Sequence, residues 1–248
     1  MERGERLMDD ALAIQQTLNA SGVCVLEHGR TYNLETQIVV PLNGAIICPS
    51  WATLKCAYQG DAVVLKGNAR LARFRANGVN ASRIVIVAEG GDQCIDQVHA
   101  VGPMPCLEFL PGAGGRSKVN GGVYGRSGGL PAIVFPEETT TSTDRNLLHV
   151  QAGGGCLADL GTADNVLMVG CNFTNIITRG GTKKLRMIGC RAANNDVTLR
   201  GVQHALEGNI FAGNLILASD CRRSVIGPNT FADGKGVIDQ SGGMNNVH

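Results

Sequence analysis

The sequence predicts an all-β protein built as a parallel β-solenoid with one α-helix at its N-terminal end. Three observations support this prediction. Helical apolar spacing occurs convincingly only near the start, short apolar runs follow at close intervals, and glycines recur at a fixed spacing in the last third. A chain of 248 residues can bury one large core. We therefore predict an N-terminal segment with its helix at 1–22 and a solenoid at 23–248.

The helix is predicted over residues 6–19 and ends before Gly22, a residue that commonly terminates helices. Its apolar residues recur every three or four positions, which places them on one side of a helix. These residues are Leu7, Ala11, Ile14 and Leu18. The pattern predicts one buried helix face.

After the helix, the sequence consists of runs of four to six residues rich in Val, Ile, Leu and Cys, separated by Gly, Pro and Asn. The runs are too closely spaced for helices to lie between them, so we predict them as strands. They cover 23–26, 37–40, 45–48, 53–56, 62–65 and 83–87.

A repeat in the last third determines the architecture. Gly170, Gly189, Gly208 and Gly227 recur at every nineteenth position, and each follows a short apolar run. A unit of this length cannot bury its apolar side chains alone, whereas stacked units bury them in a continuous column. We predict regular nineteen-residue coils over about 147–240. Their first strands are 167–169, 186–188, 205–207 and 224–226, and their second strands are 176–178, 197–199, 215–217 and 237–238.

Stacking brings equivalent residues of successive coils together. It explains why Cys171 and Cys190 recur one repeat apart. Asparagine is expected at the corners because it tolerates a left-handed backbone and bonds to its neighbours. We therefore interpret the corner asparagines as structural rather than as a binding site. They are Asn172, Asn175, Asn194, Asn195, Asn209, Asn214 and Asn229.

Two segments within about 111–144 are predicted to leave the solenoid as loops. The stretch 111–129 is rich in glycine and carries Arg116, Lys118 and Arg126, and the stretch 137–144 is polar. Loops that project from a rigid scaffold often carry recognition. A solvated loop without a partner is the alternative.

The opening part of the chain contains a helix at 10–15 followed by apolar and turn segments at 22–26, 29–32 and 38–41. This arrangement resembles the opening segment of pectin-lyase-like, single-stranded right-handed parallel β-helix proteins. That family includes bacteriophage tailspikes and polysaccharide hydrolases and lyases. The resemblance implies a right-handed coil whose N-terminal end is covered by the helix. Such a cap has a physical reason, because an open end exposes apolar core and unpaired strand edges.

Composition limits the choice of partners and compartment. The 22 Lys and Arg nearly balance 21 Asp and Glu, which leaves no electrostatic reason to expect nucleic acid or a membrane surface. The N-terminus is charged with no apolar segment behind it, so we expect no signal peptide and no membrane span. The nine cysteines form no Cys-x-x-Cys pair. We expect reduced, buried thiols in a protein made in the cytoplasm.

The acids of the last third do not form a recognisable catalytic pattern. Polysaccharide hydrolysis uses two carboxyl groups about 5 to 10 Å apart. None of the candidates forms the Asp-Asp or Asn-Thr-Asp pattern of the pectin-degrading hydrolases. The candidates are Asp159, Asp164, Asp196, Glu207, Asp220, Asp233 and Asp239. Four arginines could supply the base that lyases of this fold use: Arg179, Arg186, Arg191 and Arg200.

Other kinds of site are also disfavoured. No acidic cluster is present to hold calcium, and the five histidines lack metal-ligand spacing. The glycine-rich stretch 112–118 lacks the Gly-Lys-Ser/Thr ending of a phosphate loop. A nucleophilic cysteine would need a nearby histidine; the candidates are Cys24, Cys94 and Cys156. With Trp51 as the one tryptophan, a long saccharide groove is disfavoured. We predict no catalytic residue, cofactor or metal.

These observations and the resemblance favour a bacteriophage virion protein, a non-catalytic β-helix spike or capsid decoration protein that stabilises the particle or attaches it to the host. The resemblance implies a homotrimer. Other virion proteins are expected partners, and host surface polysaccharide is a further candidate. The alternative is a polysaccharide-degrading glycoside hydrolase or lyase, which predicts a groove holding two acids. A cellular β-helix protein is a third possibility.

Overall fold

The computed structural model describes residues 9–78, 82–113, 115–135, 143–193 and 195–248. They form a parallel β-solenoid of about ten coils with one N-terminal α-helix. Strands of one coil pair in parallel with the equivalent strands of the next. The predicted fold class is confirmed, and the predicted right-handed sense of the coil stays a prediction.

The helix, α1, is Asp10–Ser21. The strands of the first five coils are β1 (Val23–Val25), β2 (Thr31–Leu34), β3 (Ile38–Val40), β4 (Ala45–Cys56), β5 (Gly60–Leu65), β6 (Arg70–Gly78), β7 (Ser82–Val87), β8 (Gln93–Asp96), β9 (His99–Gly102), β10 (Leu107–Phe109), β11 (Gly115–Asn120), β12 (Val123–Arg126) and β13 (Ile133–Val134). A short 3-10 helix, Ser127–Gly129, lies between β12 and β13.

The strands of the later coils are β14 (Thr143–Leu148), β15 (Gln151–Ala152), β16 (Cys156–Asp159), β17 (Val166–Val169), β18 (Asn172–Phe173), β19 (Asn175–Ile177), β20 (Arg186–Ile188), β21 (Arg191–Ala192), β22 (Val197–Leu199), β23 (Ala205–Glu207), β24 (Ile210–Phe211), β25 (Leu215–Leu217), β26 (Val225–Ile226), β27 (Thr230–Phe231), β28 (Val237–Asp239) and β29 (Asn246–Val247). Most of these strands are short, because each coil turns several times within a single repeat.

Helix α1 begins at Asp10 because the side chain of Asp9 accepts a hydrogen bond from the Ala11 N–H at 3.0 Å and caps the helix. The prediction began the helix at residue 6, and residues 1–8, including Leu7, lie outside the described residues. The helix ends where the N–H of left-handed Gly22 donates to the Leu18 carbonyl.

The helix covers the N-terminal end of the solenoid. Its predicted apolar face, Ala11, Ile14 and Leu18, is buried. Its polar side chains also bond to the edge of the first coil. Gln15 accepts from the Val39 N–H at 2.7 Å and donates to the Val39 carbonyl at 3.0 Å. Asp10 accepts from the Asn33 N–H at 2.7 Å. Backbone groups that would otherwise be an open strand edge are thereby satisfied.

The regular coils stack their inner side chains in columns. Met168 lies opposite Met187, and Met187 lies opposite Leu206, so these two steps have the predicted nineteen-position length. The next step is one position longer, because Leu206 lies opposite Ile226. The predicted equivalence of Gly227 is therefore wrong: the register places Pro228 opposite Gly208, and Gly227 lacks the left-handed backbone of Gly208.

Earlier coils are longer than the predicted repeat. Ala45 lies opposite Arg70, and Arg70 lies opposite Cys94, so both steps exceed those of the regular coils. The predicted loop excursion is wrong for residues 115–126. Strands β11 and β12 pair with the coils on both sides. Gly115 and Gly125 lie within these strands, and Gly128 and Gly129 lie in the 3-10 helix that follows. Residues 114 and 136–142, including most of the predicted polar loop 137–144, lie outside the described residues.

One corner column contains Cys171, Cys190, Asn209 and Asn229. The carboxamide oxygen of Asn209 accepts from the Cys190 N–H at 2.8 Å, and that of Asn229 accepts from the Asn209 N–H at 2.9 Å. The structural interpretation of these asparagines is confirmed. Eight of the nine cysteines are buried, as predicted, and Cys94 is half-buried. Asn194 lies outside the described residues.

Candidate functional site

Among the described strand pairs, the largest register shift lies between β4 of the second coil and β6 of the third. Ile47 of β4 pairs with Ala72 of β6, whereas Ala52 pairs with Phe74. Residues 48–51 therefore oppose the single residue Arg73. Such a bulge breaks the ladder and redirects side chains. Because proline has no N–H to donate, Pro49 suits this interruption.

Contacts to the first coil fix the bulge in place. The carbonyl of Trp51 accepts from the Gly29 N–H at 2.9 Å. The thiol of Cys48 donates to the Leu26 carbonyl at 3.4 Å. The hydroxyl of Ser50 lies 2.6 Å from Nδ1 of His28. The extra residues thus have a defined position on the outer surface.

Trp51, the one tryptophan of the chain, is half-buried on this surface. Its ring centroid lies 4.4 Å from that of His99, with the planes tilted by 57°. The Arg75 guanidinium lies over the indole, 5.6 Å from its centroid, which is within cation–π range. Register explains this grouping, because Thr53 of β4 pairs with Arg75 and Arg75 pairs with His99.

A shallow pocket of about 250 Å³ lies beside the bulge. Arg70, Arg73 and Asp96 bring charge to it, and its other lining residues are Ile47, Cys48, Pro49 and Ala72. Arg73 adopts a left-handed backbone with φ of 61°, and its guanidinium lies 3.5 Å from the Pro49 carbonyl. Asp96 accepts from the Asn120 amide at 2.7 Å. We call Pro49, Ser50, Trp51, Arg70, Arg73, Arg75, Asp96 and His99 the Trp51 corner.

The Trp51 corner has an excess of positive charge. It carries three exposed arginines, Arg70, Arg73 and Arg75, and one carboxylate, Asp96. Within the described part of the chain, none of these arginines forms an ion pair with a carboxylate within 4.0 Å. Burial, with a smaller contribution from the Arg75 charge, lowers the pKa of His99. This favours a neutral His99 at neutral pH.

The acids considered at the sequence level have different surroundings. Asp159 pairs with Arg179 at 2.6 Å, Asp164 with Lys184 at 3.1 Å, and Asp220 with Arg200 at 3.5 Å. In each pair the residues come from successive coils, so these ion pairs link one coil to the next. Two of the four arginines considered as a lyase base are thus engaged, while Arg186 lies near the Asn165 carboxamide and Arg191 is exposed.

The remaining acids give no sign of a general acid. A hydrogen bond from the Asn214 backbone lowers the pKa of Asp196, and one from the Ser241 hydroxyl lowers that of Asp239. A general acid needs a raised pKa instead. Glu207 and Asp233 are exposed. Across the described residues, no group of three or more His, Cys, Asp or Glu is arranged to hold a metal ion.

The candidate cysteine nucleophiles are not activated by a histidine in the described hydrogen bonds. Burial raises the pKa of Cys24, and it raises that of Cys156 to about 11. A reactive thiol needs the opposite shift. His204 instead has a structural role: it accepts from the Leu185 N–H at 3.2 Å, and its Nε2 lies 2.7 Å from the Arg200 carbonyl.

The sequence-level search missed the Trp51 corner. Its signal was the short Pro49 to Ala52 insertion between two predicted strands, 45–48 and 53–56, which contains the one tryptophan. The alternate arginines 73 and 75 were a second signal. Neither signal reveals that these residues meet, because the contact depends on the register between coils.

Comparisons with known proteins identify the fold. No protein-family model matches the chain, and no curated protein matches it. A solved structure of ORF18 from Geobacillus virus E2 is similar, with a TM-score of 0.53 and 14% sequence identity. The similarity covers 96% of this chain and 58% of the viral protein. At this identity the likeness shows a shared fold. Among the described residues, no helix has the length and apolar character needed to cross a membrane.

Proposed function

We propose that the protein is a bacteriophage virion component, a non-catalytic spike or capsid decoration protein that stabilises the particle or attaches it to its host. The observation that carries this proposal is the similarity to ORF18 of Geobacillus virus E2 across 96% of the chain. Because the chain spans only 58% of that protein, the proposal concerns a solenoid of the same kind rather than the whole viral protein. It would be made in the host cytoplasm and assembled with other virion proteins.

The acids support a non-catalytic role over polysaccharide degradation. Three of the seven candidates pair with a cation from another coil, and two have lowered pKa values. Retaining and inverting hydrolases both need one protonated and one ionised carboxyl group near the scissile bond. Asp159, Asp164 and Asp220 are better explained as members of ion pairs that link successive coils.

An apolar strip supports the proposed homotrimer. On the outer face of the first strands, Leu148, Val169 and Ile188 occupy one column, and Leu167 lies beside them. Ile188 is 48% exposed, and the others are half-buried. Apolar side chains grouped on an outer sheet face suit contact with a neighbouring chain. Side-by-side packing of three copies would cover this strip.

The mass of the protein in solution tests the proposed homotrimer. Light scattering of the purified protein is expected to give three times the chain mass of 26.0 kDa. Ile188→Lys should release monomers, because it places a charge in the strip. Ile210→Lys is the matched control, since Ile210 is equally exposed on another strand column and should leave the trimer intact.

Two further measurements address the virion and the alternative enzyme. An antibody against the protein should detect it in phage particles purified by density gradient, and a reducing-sugar assay across bacterial polysaccharides should show no release. A wild-type monomer, or absence from purified particles, would overturn the corresponding part of the proposal. Sugar release would establish the enzyme instead and make the acids from Asp159 to Asp239 the targets for substitution.

A further inference from the structure

The Trp51 corner does not contribute to the core, and the proposed trimer strip lies several coils away. Its bulge adds three residues to β4 relative to β6, and these residues are held by contacts to the first coil. A solenoid can make the same corner with one left-handed residue, as Gln97 does one coil later in register with Arg73. The first coil makes this corner with as many residues as β4, because Val25 pairs with Ile47 and Thr31 pairs with Thr53. The change to a one-residue corner therefore falls between β4 and β6, and it leaves residues 48–51 at a step in the solenoid surface.

We propose that the Trp51 corner is a docking surface for an acidic peptide segment of another protein. Charge complementarity supports this partner, because Arg70, Arg73 and Arg75 lack carboxylate partners in the described structure. Carboxylates of a bound segment would provide them, and the planar guanidinium group binds a carboxylate through paired hydrogen bonds. The inference deepens the proposed function by giving the chemistry of one virion partner, and it relies on that function only for the partner's location.

The residue types also favour a protein partner. Tryptophan and arginine are the side chains most enriched among residues that dominate protein–protein binding, where they cluster around small pockets. Here the pocket of about 250 Å³ is lined by Pro49, two positions before Trp51, and it is smaller than a typical small-molecule site. One acidic side chain could enter this pocket toward Arg70 and Arg73. The indole would pack against the adjoining peptide.

Two other polyanions fit less well. Nucleic acid binding requires a basic surface that follows many phosphates, whereas the chain carries a net charge of +1 and Asp96 lines this pocket. An acidic polysaccharide would be expected to follow a row of aromatic platforms, and Trp51 is the one tryptophan. A short segment with two or three carboxylates matches the number of arginines on this corner.

The experiment uses the complete chain and a fluorescein-labelled, capped hexapeptide containing three glutamates. Binding is followed by fluorescence anisotropy, and the emission of Trp51 provides an independent readout with an unlabelled peptide. We expect both signals to saturate with the same midpoint. A peptide in which glutamine replaces each glutamate should bind at least about tenfold more weakly, because it keeps the length but loses the charge. Raising the salt concentration should weaken binding several-fold.

Matched variants locate the site. Arg73→Gln should weaken binding about tenfold, and its fold should be retained because Gln97 occupies the equivalent left-handed position of the next coil. Arg191→Gln is the control, since Arg191 is an exposed arginine of the regular coils and should leave the midpoint within about twofold. Circular dichroism melting of each variant checks that the fold is unchanged.

Several results would overturn the inference. These are equal binding of the glutamate and glutamine peptides, equal effects of Arg73→Gln and Arg191→Gln, or no binding of the acidic peptide. Preferential binding of oligoglucuronate or single-stranded DNA in the same assay would assign the corner to another class of partner. A change in solution mass on Arg73→Gln would make it a contact between copies of this chain. Failure of the trimer or virion tests leaves the peptide measurement unaffected, so the two proposals fail separately.

Discussion

The regular coils after Asn165 and the longer coils before residue 103 use the same ladder in different ways. In the later region the first strands are short and the inner column is Met168, Met187, Leu206 and Ile226. Its left-handed corners are formed by glycines and by one column of longer side chains, Asn165, Lys184, Gln203 and Arg223. In the earlier region, β4 and β6 are much longer strands, and the corners include Arg73 and Gln97.

The regular coils serve mainly to stabilise the solenoid, whereas the irregular earlier coils carry the proposed docking surface. A repeat of nearly constant length stacks equivalent residues on one another, so its surface carries mainly the side chains that alternate outward and one column of corner residues. The segment 48–51 interrupts the ladder between β4 and β6, but it places the indole of Trp51 beside Arg75 and the carbonyl of Pro49 beside Arg73. The earlier region can tolerate this interruption because α1 covers its end and because its long strands pair with both neighbouring coils.

The largest expected effect tests whether the two regions unfold together. Phe74→Ala and Phe211→Ala each remove a fully buried ring and should cost about 3–5 kcal/mol. Because a solenoid is stabilised mainly by contacts between neighbouring coils, Phe211→Ala should release the last coils locally. Hydrogen exchange should then accelerate over 205–247 while Trp51 emission is unchanged. Phe74→Ala should alter Trp51 emission. Uniform acceleration in both variants would show that the solenoid is a single cooperative unit.

The asparagine column gives the next effect. In Asn209→Ala, the buried Cys190 N–H loses its acceptor and the Met187 carbonyl loses a donor, so we expect a cost of about 2–3 kcal/mol. Asn229→Ala should cost less, because Asn229 is half-buried and water can replace part of its bonding. The midpoints of urea unfolding measure both. Equal costs would mean that burial of the column contributes little.

A smaller effect concerns pH. Burial lowers the pKa of His204 in the folded chain, with the Arg200 carbonyl partly opposing this shift. As pH falls below about 6.5, the ordinary value, the unfolded chain binds a proton that folded His204 does not bind, so stability decreases. One such group changes stability by at most about 1.4 kcal/mol per pH unit.

Two variants measure how much of this pH dependence comes from His204 and how much from His99. His204→Gln should flatten the plot of unfolding free energy against pH between 7 and 5. His99→Gln should flatten it less, because His99 is less buried. The comparison uses slopes, so a general loss of stability in His204→Gln does not obscure it. If the two variants had the same slope as the wild-type protein, acid sensitivity would have to come from the ion pairs between coils.

The sequence predicts the regular region well and the irregular region poorly, for a physical reason. Strands 186–188, 205–207, 197–199 and 215–217 were predicted with the observed bounds, because short alternating runs between fixed corners define them completely. The coil at 115–126 was mistaken for a loop because its glycines look like a linker. What makes it a coil is pairing with strands of the preceding and following coils, which are distant in sequence.

The candidate site was missed for the same reason. Trp51, Arg75 and His99 are widely separated in sequence and meet only because β4, β6 and β9 are in register. A fixed repeat length makes such neighbours readable from sequence, whereas coils of unequal length do not reveal them. The unequal coil lengths that form the Trp51 corner therefore also prevent its prediction from sequence.

The smallest expected effect concerns the strain of a left-handed backbone at the corners of the solenoid. Gly189 has a φ of 60°, and a Cβ placed there would meet no atom within 4 Å, so Gly189→Ala tests backbone strain without a clash. We expect a loss of about 1 kcal/mol, the usual cost of a left-handed backbone for a residue with a Cβ. In the earlier region, Gln97→Gly relieves that strain at φ of 51° but gives the unfolded chain more freedom. The two contributions should nearly cancel, to within about 0.5 kcal/mol. Urea midpoints measure both variants. A large loss from Gln97→Gly would mean that the Gln97 side chain itself holds the earlier corner, and the strain-only account of that region would be wrong.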